Sequence, residues 1–299
     1  KKLQYQPNHL ASALRSGKSN LVGVIVPRTN SNFFSSVIQN IEEVLNKKGY
    51  SIIITQSNES YDKECKSIDT LLYTQVDGII ASMANETIDL SSYEKIKSKG
   101  IPLILFDRGE NDLNVDYIGI DDYNSSHVIV EHLVKNGCQR IAHIGGYKRT
   151  RIYNNRIRGY VDALKKHKLP LDAELLTEGD LTIEDGRIKM RQLLSLKTRP
   201  DAVYVAGDYA ALGALQVLKE HKILVPEEIS LVGFGNEPFT DMVTPKITSV
   251  NQHSAEIGKQ AANTFLKYIE NDTIEQSLNK IILTAELIVR DSSNKKTPL

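Results

Sequence analysis

Short runs of branched apolar residues alternate along this chain with longer segments of helical period. The run LVGVIVP at residues 21–27 precedes FFSSVIQNIEEVLNKKG, whose apolar residues recur every three or four positions and share one face of a predicted helix. Gly49 stands where that helix should end. Because the strand-like runs are apolar at every position, they predict parallel strands with both faces covered by helices.

This strand and helix unit recurs in two series, so the sequence predicts two similar α/β lobes. The first lobe is predicted over residues 20–119 with a returning segment at 252–278, and the second over 120–251 with 279–299. Residues 1–19 form a separate leading segment. Because parallel sheets bind ligands at the carboxyl ends of their strands, we expect a ligand in a cleft between the lobes. Beyond the first, helices are predicted near residues 61–75, 91–99, 123–136, 154–167, 184–195 and 208–221.

Composition excludes several classes of protein. The 299 residues include 37 basic and 37 acidic side chains, so the body of the chain has no excess positive charge for generic binding to polyanions. No apolar run approaches the roughly 18 residues of a membrane helix, so we expect no membrane partner. Cys65 and Cys138 lack the spacing of a metal site or redox motif, and we expect two thiols in a reducing cytoplasm.

Signatures of catalysis and of cofactor binding do not occur in the sequence. It contains no GxxxxGK[ST] phosphate loop, no GxSxG nucleophile elbow and no HExxH zinc helix. The GFG at residues 233–235 lacks the third glycine of a dinucleotide fingerprint. We therefore expect no cofactor, no metal and no enzymatic activity.

Polar residues stand at the ends of several predicted strands. Asp107 ends IPLILFD and Asp208 follows DAVYVAG. Asn236 follows ISLVGFG, and Gln252 follows ITSV. Asp208 has an alternative role as the cap of the next helix. Four such residues at equivalent strand ends favour a shared polar ligand.

The leading segment differs from the rest of the chain in its charge. The first acidic residue is Glu42, whereas Lys1, Lys2, Arg15 and Lys18 are basic. The apolar run that follows is too short for a signal peptide and has no small-residue cleavage site. The leading segment is therefore locally cationic in a chain without net charge.

Ordered motifs over nearly the whole chain resemble those of the LacI/GalR family of bacterial transcriptional regulators. The resemblance implies two Rossmann-like lobes with parallel sheets, of the periplasmic-binding-protein type. It also implies a helix-turn-helix headpiece before the turn YQPN, and we expect this sequence to be a piece from which the headpiece is absent. The motifs are YQPNHLASALRSGKSNLVGVIVP, NSNFF, VDGII, IPLILFDR, IAHIGG, RIRGY, GDYAALGAL, VPEEISLVGFGNEPF and TPKITSVNQ.

The resemblance assigns a DNA contact to the leading segment. Asn8 is a good helix N-cap, but a helix of about seven residues is unstable alone and needs a partner. Leu14 aligns with the family's leucine that wedges into a minor-groove step of the DNA. Arg15 and Lys18 are positioned to neutralise phosphates. We therefore expect a homodimer that binds operator DNA.

The resemblance also implies an effector site. Phe33 and Phe34 match an aromatic wall, with core packing of one of them as the alternative. Asp107 matches an acid that accepts hydroxyl protons, Arg156 in RIRGY matches an arginine that grips the ligand, and Gln252 matches a polar residue on the lobe crossover. Asp208 and Asn236 complete the expected set.

Departures from the family pattern bear on the effector's charge. Gly207 and Gly235 stand where many sugar-binding members have Asn and an acid. The loop at residues 147–158 is rich in Lys and Arg, and we expect either an anionic sugar derivative or, if most of these cations face solvent, a neutral sugar. A periplasmic sugar-binding protein of a transporter is the alternative function.

Overall fold

The chain folds into two compact α/β units, and the predicted fold class is confirmed. The computed structural model describes residues 18–270 and 278–295. One unit contains the described residues up to Gly119 and those of Ser254–Ile281; the other contains Ile120–His253 and the described residues from Ile282 onward. None of the helices in these described stretches combines the length and hydrophobicity that a bilayer crossing needs.

Twelve strands are assigned in the described residues. They are β1 (Leu21–Val26), β2 (Ser51–Gln56), β3 (Gly78–Ala81), β4 (Leu103–Phe106), β5 (Asp116–Ile120), β6 (Ile141–Gly145), β7 (Leu176–Glu178), β8 (Ala202–Val205), β9 (Ser230–Val232), β10 (Ser249–Asn251), β11 (Lys280–Leu283) and β12 (Glu286–Ile288).

Eight α-helices are assigned in the same stretches. They are α1 (Asn32–Asn46), α2 (Tyr61–Tyr73), α3 (Ser91–Ser98), α4 (Asp122–Lys135), α5 (Arg151–Lys166), α6 (Ile183–Leu194), α7 (Asp208–Glu220) and α8 (Ser254–Glu270).

The first unit is built on a six-stranded sheet in the order β11-β5-β4-β3-β1-β2. Strands β1 to β5 pair in parallel, as their uniformly apolar sequences predict. Every residue of β3 and β4 is buried, whereas β2 is an edge strand with no fully buried residue. The carboxyl ends of β1 to β4 therefore lie along one edge of this sheet, where Asp107 directly follows β4.

The second unit contains a four-stranded parallel sheet in the order β7-β6-β8-β9 and a separate antiparallel pair, β10-β12. Strand β10 pairs antiparallel with β12, but a parallel bridge between Val232 and Thr248 and a hydrogen bond from the Gly235 amide to the Val250 oxygen align it with β9 in the same direction. Gln252 therefore follows a strand that ends at the same edge as β9, as the sequence predicts.

The chain segment at Ser292 fixes this junction. Its backbone oxygen accepts from the Leu231 amide at 2.7 Å, and its hydroxyl donates to the Leu231 oxygen at 2.6 Å. The same hydroxyl accepts from the Thr248 amide at 2.9 Å. These bonds are buried, so the residues after β9 and those around β10 are held at a fixed separation.

Helix pairs approach each other through glycines. A Cβ atom at Gly159 of α5 would lie 2.1 Å from the backbone oxygen of Tyr123 in α4, and one at Gly213 of α7 would lie 2.0 Å from that of Ile183 in α6. A Cβ atom at Gly258 of α8 would lie 2.5 Å from the backbone oxygen of Val37 in α1. Backbone cannot move aside as a side chain can, so these positions require the absence of a side chain.

Gly159→Ala should therefore destabilise the protein, although alanine favours helices over glycine by about 1 kcal/mol. We expect the free energy of unfolding to fall by about 1–3 kcal/mol because α4 and α5 must separate. Denaturant unfolding measures the change, with the exposed Lys165→Ala in the same helix as the control, expected within about 0.5 kcal/mol of wild type. A Gly159→Ala protein more stable than wild type would contradict the close approach.

Candidate ligand-binding site

Arg156 of α5 is the most constrained charged side chain at the carboxyl edge of the second sheet. It is 97% buried, its Nε donates to Asp122 Oδ1 at 2.8 Å, and its Nη1 donates to the Ala206 backbone oxygen at 3.0 Å. Its guanidinium carbon lies 3.6 Å from the ring centre of Phe234. The ion pair and the aromatic contact offset the cost of burying the charge.

The Nη2 amino group of Arg156 has no hydrogen-bond partner within the described residues. The other two nitrogens are used, so the guanidinium cannot rotate to satisfy Nη2 without breaking a bond. Nη2 is not among the fully buried atoms that lack a partner, so it is open to an acceptor from outside the chain. Arg156 therefore presents one fixed donor toward a molecule from outside the chain.

Asp208 begins α7 and is buried without a cationic partner in the described part of the chain. Its Oδ1 accepts from the Ser249 hydroxyl at 2.7 Å and its Oδ2 from the Glu237 amide at 2.8 Å. Burial raises the pKa of Asp208 to about 6; these hydrogen bonds oppose that rise, and the nearby Glu237 carboxylate adds to it. The alternative role as a helix cap is not observed, since Gly207 is the N-cap residue.

Gly235 and Gln252 lie beside Asp208. Gly235 has a φ of 132°, in the range that disfavours any side chain, and a Cβ there would lie 3.3 Å from Asp208 Oδ2 and 3.9 Å from Gln252 Nε2. Gln252 is 92% buried, and its amide forms no hydrogen bond within the described residues. The amide atoms are not among the fully buried ones, so the amide is open to a polar group from outside the chain.

Asn236 is committed to an internal contact. Its Oδ1 accepts from Arg290 Nη2 at 2.7 Å, and its backbone amide donates to Ser249 Oγ at 2.9 Å. Its left-handed φ of 53° is common for asparagine. The structure thus gives Asn236 a role in shaping the loop, and its expected ligand contact stays a prediction.

In the first unit, the aromatic residues at the start of α1 pack on each other. Phe33 and Phe34 are 93% and 95% buried, with ring centres 5.1 Å apart at 80°, and Phe34 also meets Phe106 edge to face. Both therefore contribute to packing, which was the alternative for only one of them. Whether either ring contacts a ligand stays a prediction.

Asp107 lies at the end of β4 in a left-handed conformation, with a φ of 56°. Its backbone oxygen accepts from the Tyr117 hydroxyl at 2.7 Å, and its Oδ2 lies 3.5 Å from Ser82 Oγ. The next residue, Arg108, donates from Nη1 to Glu59 at 2.6 Å. Strained backbone held by surrounding bonds is common at binding sites, which agrees with the role expected for Asp107.

The basic loop does not gather its charges in one place. Lys148, Arg149 and Arg158 are exposed, and Lys148 pairs with Glu178 at 3.1 Å. Arg156 is buried, but Asp122 balances its charge. The argument for an anionic effector depended on several cations facing one ligand, and this arrangement removes most of its support.

Other expected residues fall elsewhere. Asn8, Leu14 and Arg15 lie outside the described residues, and Lys18 is exposed at the start of the described chain. No group of three or more metal-ligating side chains occurs in the described residues.

Sequence reasoning missed two residues that build the site. Asp122, the partner of Arg156, follows the apolar run DYIGI and satisfies the same strand-end criterion that selected Asp107. Phe234 was visible only as an aromatic residue between two glycines, and nothing in the sequence indicated that Arg156 would stack on it.

This fold and this polar strand edge define a ligand-binding α/β protein of the periplasmic-binding type. The family model of the periplasmic binding protein-like domain matches residues 130–293. Catabolite control protein A of Priestia megaterium is 31% identical over 278 residues, covering 93% of this chain and 83% of the relative. The HTH-type transcriptional repressor PurR of Actinobacillus pleuropneumoniae is 28% identical, covering 97% and 86%.

Solved structures give the same result. The transcription regulator CcpA of Lactococcus lactis superposes with a TM-score of 0.84 at 26% identity, covering 92% of this chain and 99% of that one. The complex of the transcriptional regulator CelR with cellobiose gives 0.84 at 25% identity, covering 97% and 92%. The chain belongs to the LacI/GalR family of bacterial transcriptional regulators, and its two units form the effector-binding part of such a regulator.

Membership of this family bears on the choice between the two functions predicted from the sequence, a transcriptional regulator and the periplasmic sugar-binding protein of a transporter. Regulators of the family bind operator DNA and small-molecule effectors. The relatives are transcriptional regulators and neither enzymes nor transport proteins, so the reading as a transporter's sugar-binding protein is not favoured.

The raised pKa of Asp208 predicts a specific dependence of stability on pH. The folded protein holds this proton more tightly than the unfolded chain, whose Asp titrates near 3.8, so the folded state loses stability as the pH rises from about 4 through about 6. Asp208→Asn removes this loss. The free energy of unfolding of the variant, measured against wild type, should rise by up to about 3 kcal/mol between pH 4 and 7.5.

Denaturant titrations of wild type and Asp208→Asn across this pH range measure the difference between their free energies of unfolding. The contributions of all other titratable groups cancel in this difference. A constant difference between the two proteins at all these pH values would show that Asp208 titrates normally.

Proposed function

We propose that this chain senses a carbohydrate for a cytoplasmic repressor-type regulator of carbohydrate metabolism. The observation that carries the proposal is a pair of polar groups, Arg156 Nη2 and the Gln252 amide, that have no hydrogen-bond partner in the described part of the chain and belong to side chains that are almost wholly buried. Fixed hydrogen-bonding groups beside an aromatic ring are what a sugar ring, with apolar faces and a polar rim, requires.

A neutral sugar is favoured over an anionic derivative. The charge of Arg156 is matched by Asp122 at 2.8 Å, and Asp208 adds a buried carboxylate on the same edge. An anionic group placed there would meet no excess of positive charge. The complex of the regulator CelR with cellobiose, a neutral sugar, supports this preference.

Regulation follows from linkage between effector and DNA. An effector changes operator affinity only if it binds the DNA-bound and DNA-free forms of the regulator with different affinities, and the coupling is reciprocal. A thermal-shift screen against neutral sugars, sugar acids and sugar phosphates should identify the effector, because a ligand that binds only the folded state raises the melting temperature. A response to none of these compounds would count against a carbohydrate effector.

Arg156→Lys should weaken binding of the effector found in that screen by at least about tenfold. Lysine keeps the charge but loses the planar fork that holds Nη2 in place. Arg158→Lys is the matched control, since Arg158 lies on the same helix and is exposed. Calorimetry measures the effector affinity of both variants. Equal affinities would show that Arg156 does not bind the effector.

We also propose that the chain forms a homodimer through the first unit. Helix α1 is covered in part by α8, whereas exposed apolar side chains remain at Ile54 on the edge strand β2, at Tyr73 at the end of α2, and at Ile88. An edge strand with exposed apolar residues requires a cover.

Sedimentation equilibrium at tens of micromolar should therefore give the mass of a dimer. Ile54→Lys should shift the equilibrium toward monomer, because a charge would be buried in the contact. A monomeric wild-type protein at this concentration would contradict the dimer, and an undisturbed dimer of the variant would place the contact elsewhere.

A further inference from the structure

The residues just before β1 are tied to one carboxylate, that of Asp77. Ser19 donates to Asp77 Oδ1 from its backbone amide at 2.8 Å and from its hydroxyl at 2.9 Å, and the Asn20 amide donates to Asp77 Oδ2 at 2.8 Å. Hydrogen bonds to a carboxylate are stronger than those between neutral groups. Asp77 therefore holds two successive residues at the point where the leading segment joins the first unit.

The backbone at this join is also fixed on both sides. The Asn20 oxygen accepts from the Ser51 amide at 2.9 Å, and the Leu21 oxygen accepts from the Asp77 amide at 2.8 Å. Asn20 has a left-handed φ of 56°, which asparagine tolerates, and with this turn the Ser19 and Asn20 amides meet the same carboxylate. The join is thus bonded to the starts of both neighbouring strands, β2 and β3.

These contacts lie at the amino edge of the first sheet. Asn20 and Asp77 directly precede the region of β1 and β3, and Ser51 begins β2, which runs parallel to β1. Strand β1 has six residues and therefore spans about 20 Å. A ligand at the carboxyl edge of this sheet, where Asp107 lies, would be too distant to contact Ser19.

An effect of such a ligand on a DNA contact of the leading segment must therefore be transmitted by the first unit itself. Transmission requires a join that follows each displacement of the sheet, because a freely rotating join would let the leading segment keep its own orientation. Asp77 supplies such a join, since its carboxylate bonds to Ser19 and Asn20 while its backbone amide bonds to the next residue along the chain.

We propose that Asp77 is a positioning residue for DNA binding, which makes the point of attachment of the leading segment move with the first unit. The inference goes beyond effector sensing and is independent of the effector's identity. It rests on the DNA contact predicted for the leading segment. Asp77 itself touches neither the DNA nor the effector in this account and acts through Ser19 and Asn20.

Proteolysis of the native protein measures how firmly the join is held, because trypsin cleaves after basic residues and the Lys18–Ser19 bond lies directly before the clamp. Asp77→Asn keeps the shape of the side chain but replaces the Oδ2 acceptor by an NH₂ donor that faces the Asn20 amide. We expect cleavage of the Lys18–Ser19 bond to become at least about fivefold faster, because the loss of this bond favours local opening. Asp62→Asn, at an exposed position of α2, is the matched control and should be cleaved at the wild-type rate.

Ser19→Ala loosens the same contact from a position outside every helix and strand, so it does not put the fold at risk. It removes the hydroxyl that donates to Asp77 and accepts from the Leu21 amide at 3.2 Å. Hydrogen exchange followed by mass spectrometry should show the Asn20 amide exchanging at least about threefold faster than in wild type. Cleavage by trypsin after Arg108, which is buried in the same unit, reports unfolding of the whole unit and should not change in either variant.

DNA binding separates positioning from a purely structural contact. The probes are a duplex selected from a random-sequence pool by a wild-type regulator that carries a helix-turn-helix headpiece before residue 1, and an unselected duplex of the same length. Asp77→Asn should weaken binding of the selected duplex at least about fivefold, because a loose join lowers the effective concentration of the leading segment at its contact. Binding of the unselected duplex depends on charge alone and should stay unchanged.

The outcomes are distinct. Unchanged cleavage of the Lys18–Ser19 bond in Asp77→Asn overturns the clamp. Faster cleavage with unchanged binding of the selected duplex overturns the positioning role and leaves a structural contact. Faster cleavage together with weaker binding of the selected duplex alone supports the inference.

Discussion

The buried ion pair between Arg156 and Asp122 is the contact on which the arrangement of the second unit's polar edge depends. It joins the first turn of α4 to α5, and the hydrogen bond from Arg156 Nη1 to the Ala206 oxygen extends the link to the end of β8. Stacking on Phe234 adds the end of β9. Separate removal of either charge would leave the other buried and unpaired, which typically costs about 3–5 kcal/mol.

A second buried carboxylate completes the edge from the opposite side. Asp208 joins the start of α7 to the loop after β9 and, through Ser249, to β10. It has the opposite electrostatic character to Asp122, because no cation among the described residues balances it and its pKa rises to about 6. The two acids therefore have different roles: Asp122 neutralises and orients Arg156, whereas Asp208 is a titratable acceptor beside Gly235 and Gln252.

The sequence predicted the fold class because its strands are uniformly apolar and its helices have clear periodicity. It was less accurate where tertiary contacts decide the outcome. The helix predicted near residues 154–167 begins at Arg151, since Thr150 serves as its N-cap and three further residues join the first turn. Gln252 does follow a strand that runs parallel to β9, but the antiparallel pairing of that strand, β10, with β12 was not predicted, because β12 comes much later in the chain.

Site residues were predictable in type and only partly in role. Strand-end polarity and family motifs selected Arg156, Asp208 and Gln252, all of which lie at one edge of the second unit. Which of their atoms are satisfied internally depends on partners distant in sequence, such as Ser249 for Asp208 and Arg290 for Asn236. The basic loop shows the same limit, because its cations are adjacent in sequence but point in different directions.

A crystal structure of the chain with its tightest-binding carbohydrate tests the central claim most directly, namely that Arg156 and Gln252 hold the effector through the groups for which the described residues supply no hydrogen bond. The account predicts sugar oxygens within about 3.2 Å of Arg156 Nη2 and of the Gln252 amide. An ordered sugar bound elsewhere, with only water at these two groups, would contradict it.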